Sequence, residues 1–130
     1  MIEFYLDQKS GVTPYLQLVQ QVRRAIKLGL LHDGDQLPTV KEVVGRIAIN
    51  PNTVSKAYRE LEYQGLAAAR TGVGTFVTVA PDEEPVASLR PLQRGLQRWL
   101  ARAREAGLDD ESIEALFIDS FRNASSVVTS

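Results

Sequence analysis

Thr39-Val40-Lys41-Glu42-Val43-Val44-Gly45-Arg46-Ile47-Ala48-Ile49-Asn50-Pro51-Asn52-Thr53-Val54-Ser55-Lys56-Ala57-Tyr58-Arg59-Glu60-Leu61-Glu62 holds two helix starts eleven residues apart. The first is a capping box: the Thr39 hydroxyl can accept from the amide of Glu42, whose carboxylate can reach back to the amide of Thr39. Val40, Val43, Val44 and Ile47 then fall at i, i+3, i+4 and i+7, one face of a short helix. The second start sets Asn50 as N-cap before Pro51, whose missing N–H is harmless in the first turn. That helix runs to about Gln64 and stops at Gly65. Two helices joined by a turn of a few residues make a helix-turn-helix.

Outward from this stretch, the flanks complete a known shape. Upstream, Thr13-Pro14 opens a helix whose apolar residues Tyr15, Leu18, Val19, Val22 and Ile26 keep helical spacing to about Gly29. Before it, Ile2, Phe4 and Leu6 alternate as a short strand would. Downstream, Ala67–Arg70, the turn Thr71-Gly72-Val73-Gly74 and the β-branched run Thr75–Val79 read as a hairpin, although alanines are poor strand formers. The fold class predicted is mainly α with a small β-hairpin: a winged helix-turn-helix over residues 1–80. Ala80-Pro81-Asp82-Glu83-Glu84-Pro85 breaks the composition and reads as a linker over 81–85.

Residues 86–123 read as a helical segment. Leu89, Leu92, Leu96, Trp99, Leu100 and Ala103 recur three or four apart up to Gly107, and Asp109, Asp110 and Glu111 crowd the start of a fifth helix, where acids suit the helix dipole. Ile113, Leu116, Phe117 and Phe121 form its apolar face, and 124–130 reads as a flexible, frayed tail. Two helices cannot bury such a row alone, so a symmetric partner is the economical solution. Dimerisation is therefore assigned to Leu89, Leu92, Leu96, Trp99, Leu100, Ile113, Leu116 and Phe117. Arg90, Arg94, Arg98 and Arg102 repeat every four residues and can pair with the acids of the fifth helix, within a helical hairpin or across a dimer.

The chemistry concentrates on the third helix. At 100° per residue, Val54, Ala57, Tyr58 and Leu61 lie within about 50° of one direction, while Asn52, Ser55, Lys56 and Arg59 centre on the opposite side. One face packs, and the other is short, polar and basic near the helix N-terminus, as a helix entering a major groove requires. Asparagine can bond an adenine edge with two hydrogen bonds. Serine and threonine suit base edges or phosphates, and Lys56 and Arg59 suit phosphate or guanine.

Gly34-Asp35-Gln36-Leu37-Pro38-Thr39-Val40-Lys41-Glu42, Asn50 through Glu62, Gly65-Leu66 and Arg70-Thr71-Gly72-Val73-Gly74-Thr75-Phe76-Val77 closely resemble the GntR family, and the Asn50-Pro51-Asn52-Thr53 start with a short helical tail resembles its YtrA subfamily. The match spans residues 2–80 in motifs and 85–123 only in length and helix count. The resemblance implies a dimeric winged-helix regulator, often a repressor, in this subfamily often linked to transporter operons. Carried over by position, it implies DNA contacts at Lys41, Asn50, Asn52, Thr53, Ser55, Lys56, Arg70, Thr71 and Gly72. The chain departs from the pattern at Lys41, where arginine is commoner, and at Ala67–Ala69, where a larger apolar residue usually opens the wing.

The net charge of −1 speaks at first against a DNA partner. It hides a partition: residues 1–80 carry nine basic and seven acidic groups, residues 81–130 six and nine. Without cysteine there is no disulfide, thiolate metal site or thiol nucleophile. His32 stands alone and reads as a loop residue, and Gly72-Val73-Gly74 lacks the context of a dinucleotide fingerprint. No nucleophile–base pair can be assembled, so no enzyme and no cofactor are expected. No apolar run approaches the roughly 18 residues of a membrane span, and the N-terminus has no signal-peptide pattern; a cytoplasmic protein is expected. The predicted partners are double-stranded operator DNA and a second copy of the chain. Any small-molecule effector would lie at the dimer interface or between head and tail. The rival reading, a winged helix used as a protein-interaction module without DNA, requires an apolar or acidic outer face on the third helix.

Overall fold

The structure, a computed structural model, describes residues 1–81 and 88–129, with side chains to residue 124. The chain divides into two compact units, Met1–Ala87 and Ser88–Ser130. The first holds α1 (Pro14–Lys27), α2 (Val40–Arg46), α3 (Pro51–Tyr63), β1 (Ala67–Arg70) and β2 (Gly74–Val77); the second holds α4 (Arg90–Glu105) and α5 (Asp110–Thr129). Of the linker expected at 81–85, residues 82–85 lie outside the described residues.

In the first unit, α1 and α2 both pack on α3. Leu18, Val22, Val54 and Leu61 are fully buried at the crossing, with Leu37 sealing the loop between α1 and α2. Each such side chain contributes roughly 1.5–3 kcal/mol over the exposed state. Tyr58 adds a buried phenol that donates to the carbonyl of Pro38. Burial, and secondarily the charge of Glu42, pushes its pKa well above the ordinary tyrosine value, so it serves as a neutral donor. The α3 terminus closes as a Schellman motif: the Leu66 amide donates to the Leu61 carbonyl at 2.8 Å and that of Gly65 to Glu62 at 3.0 Å, with Gly65 at φ 77°.

β1 and β2 pair antiparallel, with Ala67 opposite Val77, Ala68 opposite Phe76 and Arg70 opposite Gly74. Ala67 and Val77 are buried and anchor the hairpin on the core, so the alanine-rich arm does form its strand. The loop before α2 acts as a third, irregular arm beside β2. The amides of Gly34 and Leu37 donate to Val77 and Thr75, and the Val77 amide returns a bond to Asp35. Nothing local in residues 34–37 announces this, because the partner is forty residues away.

Two sequence expectations need correction. Residues 2–6 alternate in burial, with Phe4 inside and Ile2 and Leu6 half-buried, yet they form no strand. Glutamine side chains from α1 take the place of a neighbouring strand. Gln21 accepts from the Tyr5 amide at 3.2 Å and donates to its carbonyl at 2.8 Å, and Gln17 does the same for Asp7 at 2.8 and 3.0 Å. Thr13 occupies the N-cap of α1 as the sequence predicts, with Pro14 following it and no side-chain cap bond. Val44 is exposed, because the seven-residue α2 meets the core only along the edge carrying Val43. α5 runs from Asp110 to Thr129.

In the second unit, hydrogen bonds from the Ser112 hydroxyl and amide hold the Asp109 carboxyl below its ordinary pKa, making it the cap of α5. The helices meet beside their connecting turn, where Ala103 and Ile113 are buried, and share no extended packing. They therefore do not form the tightly packed hairpin in which the arginine row would be paired. Arg90, Arg94, Arg98 and Arg102 are exposed and make no ion pair among the described residues; Arg104 meets Asp110 at 3.7 Å instead. Leu92, Leu96, Leu116 and Phe117 are exposed, Leu89, Trp99 and Leu100 half-buried. Among the described residues no helix is long and apolar enough to cross a membrane.

Candidate nucleic-acid interface

The turn between α2 and α3 is fixed by side chains at both helix starts. The Thr39–Glu42 capping box is complete, at 3.1 Å from the Glu42 amide to the Thr39 hydroxyl and 3.2 Å in return. Asn50 Oδ1 accepts from the Asn52 amide at 2.8 Å. Asn50, one of the expected DNA contacts, thus spends its oxygen on the cap and has its amide nitrogen to offer. The cap in turn fixes the first turn of α3, from which Asn52 projects.

Along α3, Val54, Ala57, Tyr58 and Leu61 are buried while Asn52, Lys56 and Arg59 are exposed, with Thr53 and Ser55 half-buried at the flanks. The structure therefore brings Asn52, Lys56 and Arg59 onto one outward face. Lys41, in the first turn of α2, is also exposed. Tyr63, 87% exposed, lies at the far end of the same α3 face. Its position follows from the 100° periodicity that placed Asn52, and the motif-based assignment missed it.

The wing carries the second group. Arg70, Thr71 and Gly72 are exposed at the hairpin tip, where the Val73 amide donates to the Arg70 carbonyl at 2.9 Å. Gly74 has φ 147°, and a Cβ there would lie 2.5 Å from Gln36 Nε2, which donates to the Val73 carbonyl at 3.3 Å. Gln36 thus braces the tip from the third arm, a role that only the pairing of distant segments makes visible.

Two of the cations are laid over aromatic rings: Lys56 Nζ is 4.1 Å from the centroid of Tyr15 in α1, and Arg70 Cζ is 4.7 Å from that of Phe76 in β2. His32 lies in the loop after α1, where its amide donates to Asp35 at 2.8 Å and its ring stands 3.6 Å from the same carboxylate, both groups well exposed. These contacts keep it within a local turn on the side of the third arm.

A three-helix core with a capped turn, an outward polar-basic helix face and a glycine-tipped hairpin define a winged helix-turn-helix protein. Residues 14–77 match the family described as bacterial regulatory proteins, gntR family. The HTH-type transcriptional repressor YtrA of Bacillus subtilis is 33% identical over 109 residues, 83% of this chain and 84% of the repressor. Among solved structures, YtrA from Sulfolobus acidocaldarius, a GntR-family transcription factor, aligns at TM-score 0.56 and 26% identity across 77% of this chain and 99% of its own. The DNA-binding domain of AraR in complex with operator ORX1 aligns at TM-score 0.51 and 26% identity, over 58% and 93%. The chain belongs to the GntR family of bacterial regulators, and over about four fifths of its length it is similar to the YtrA type.

Proposed function

We propose that the chain is a cytoplasmic transcriptional repressor that binds a pseudo-palindromic operator as a homodimer. The observation that carries this is the outward face of α3. Asn52, Lys56 and Arg59 stand exposed on a helix whose first turn is held by a cap, in the same unit as the exposed wing residues Arg70–Gly72. That face is polar and basic, which disfavours a protein-interaction module without DNA. The solved AraR domain was captured on an operator, and the B. subtilis relative is a repressor; both support the same use of this head. The roles assigned are base reading for Asn52, backbone contact for Lys41, Lys56, Arg59 and the wing, and flank contacts for Asn50, Thr53 and Ser55.

The homodimer rests on the second unit. Leu92, Leu96, Leu116 and Phe117 leave an apolar surface on a pair of helices too small to cover it, and a symmetric copy would. Selection of binding sites from random duplexes with the purified protein tests the proposal directly. The expected result is an inverted repeat. Asn52→Ala should change the preferred base at one position per half-site and cost about 1–3 kcal/mol on the best operator. Lys56→Ala should weaken all sequences alike. A uniform loss for Asn52→Ala would remove it as a base reader, and recovery of no preferred sequence would remove the operator-binding role.

A further inference from the structure

Of the four cations placed on the DNA-facing surface, Lys56 and Arg70 each lie on an aromatic ring supplied by a different element: Tyr15 from α1, 4.1 Å away, and Phe76 from β2, 4.7 Å away. Both rings are half-buried, so each has one side held by the fold and one side turned to a charge. The hairpin register explains the second pair. Ala68 faces Phe76 directly, and Arg70, two residues on along the same face, reaches back diagonally over the ring. The exposed Ala68 carries only a methyl group, too small to cover the ring that Arg70 uses.

We infer that Tyr15 and Phe76 are positioning residues, aromatic rests that hold Lys56 and Arg70 ready for DNA phosphates. This rests on the DNA-binding role proposed above and names side chains outside the set that touches DNA. A cation on a ring face keeps its other donors: the guanidinium stacks by its plane and leaves its in-plane N–H edges open, and the ammonium leaves N–H groups pointing away from the ring. Long basic side chains lose much rotamer freedom when a phosphate immobilises them. A ring that narrows those rotamers before DNA arrives lowers that loss, which is preorganisation.

The test is a pair of double-mutant cycles on operator affinity. Tyr15→Leu should weaken binding about two- to fivefold, the span set by exposed cation–π energies, while Tyr15→Phe, which keeps the ring, should stay close to the parent. In a Lys56→Ala background Tyr15→Leu should cost nothing further. Phe76→Leu should behave in the same way toward Arg70→Ala, with Phe76→Tyr as the conservative control. Because the phosphate contact still forms without its rest, Tyr15→Leu should leave the salt slope intact, whereas Lys56→Ala should lower it by about 0.9. Equal losses in the parent and Lys56→Ala backgrounds, or failure of Tyr15→Phe to retain affinity, would overturn the positioning role. Should Tyr15→Leu unfold the head, the wing pair Phe76–Arg70 decides by its own cycle. If Lys56→Ala and Arg70→Ala are themselves without effect at every salt concentration, it is the DNA-contact assignment that fails, and the inference with it.

Discussion

The head and the tail are written in the same periodic language and end in opposite states. In the head, α1 and α3 bury Leu18, Val22, Val54 and Leu61 completely against one another. In the tail, α4 and α5 carry comparable rows, yet Leu92 is 72% and Phe117 47% exposed, and among the described residues only Ala103 and Ile113 beside the turn are buried. Helical periodicity states that a face wants cover; it does not state where the cover comes from. The head finds it within the chain because three helices and a hairpin enclose a core. Two helices without extended packing between them do not.

The sharpest break of this contrast is a pair of truncations of similar size. Leu61→Ala empties a fully buried site and should cost about 2–5 kcal/mol, a large part of the stability of a small domain, in a denaturant titration independent of protein concentration. Leu116→Ala should leave that midpoint almost unchanged in dilute protein, since the side chain is 44% exposed. A concentration-independent loss of similar size for Leu116→Ala would mean that the tail closes on its own chain.

A charge on the tail face should separate the two units by function. Phe117→Glu is expected to yield a folded monomer in sedimentation, with operator affinity lowered about 10²- to 10⁴-fold once two half-sites no longer bind as one. An undiminished dimer would move the interface into the head. Within the head, Gly74→Ala forces a side chain into φ 147° and against Gln36 Nε2. We expect a loss of about 1 kcal/mol or more, confined by hydrogen exchange to the hairpin and the 33–37 loop. The same substitution at Gly95 meets nothing within 4 Å and should be tolerated.

What was legible in the sequence follows the range of each signal. The Thr39 box, the Asn50 cap and the Gly65 stop act within a few residues, and the structure reproduces all three. The α3 face was equally legible, because burial of Val54, Ala57, Tyr58 and Leu61 fixes by rotation what must point outward. The alternation of Ile2, Phe4 and Leu6 told correctly which side of the segment is buried but not what satisfies its backbone; the partners are glutamine side chains ten and sixteen residues away. The third arm at 34–37 and the seating of Lys56 on Tyr15 depend on distant segments meeting, and no local pattern encodes them.

The smallest expected effect probes the division most finely, because it compares two exposed arginines, one from each region. Arg70 lies at the wing tip within residues 1–80, where nine basic groups face seven acidic ones, and Arg98 lies on α4 within residues 81–130, where six basic groups face nine acidic ones; both are exposed. If the head alone meets the duplex, each phosphate contact contributes about 0.9 to the slope of log affinity against log salt. Arg70→Ala should then flatten that slope by about this amount and leave base preference intact, since a wing arginine that touches the backbone positions the protein without reading sequence. Arg98→Ala should leave the slope unchanged and at most loosen the dimer, because an exposed charge with no ion pair among the described residues contributes little to either fold or assembly. The measurement is operator affinity at several salt concentrations for the parent and both variants, with protein concentration held above the dimer dissociation range. A slope reduced by Arg98→Ala and untouched by Arg70→Ala would place the arginine row of α4 on the phosphates, and the tail, not the wing, would be the second DNA-binding element.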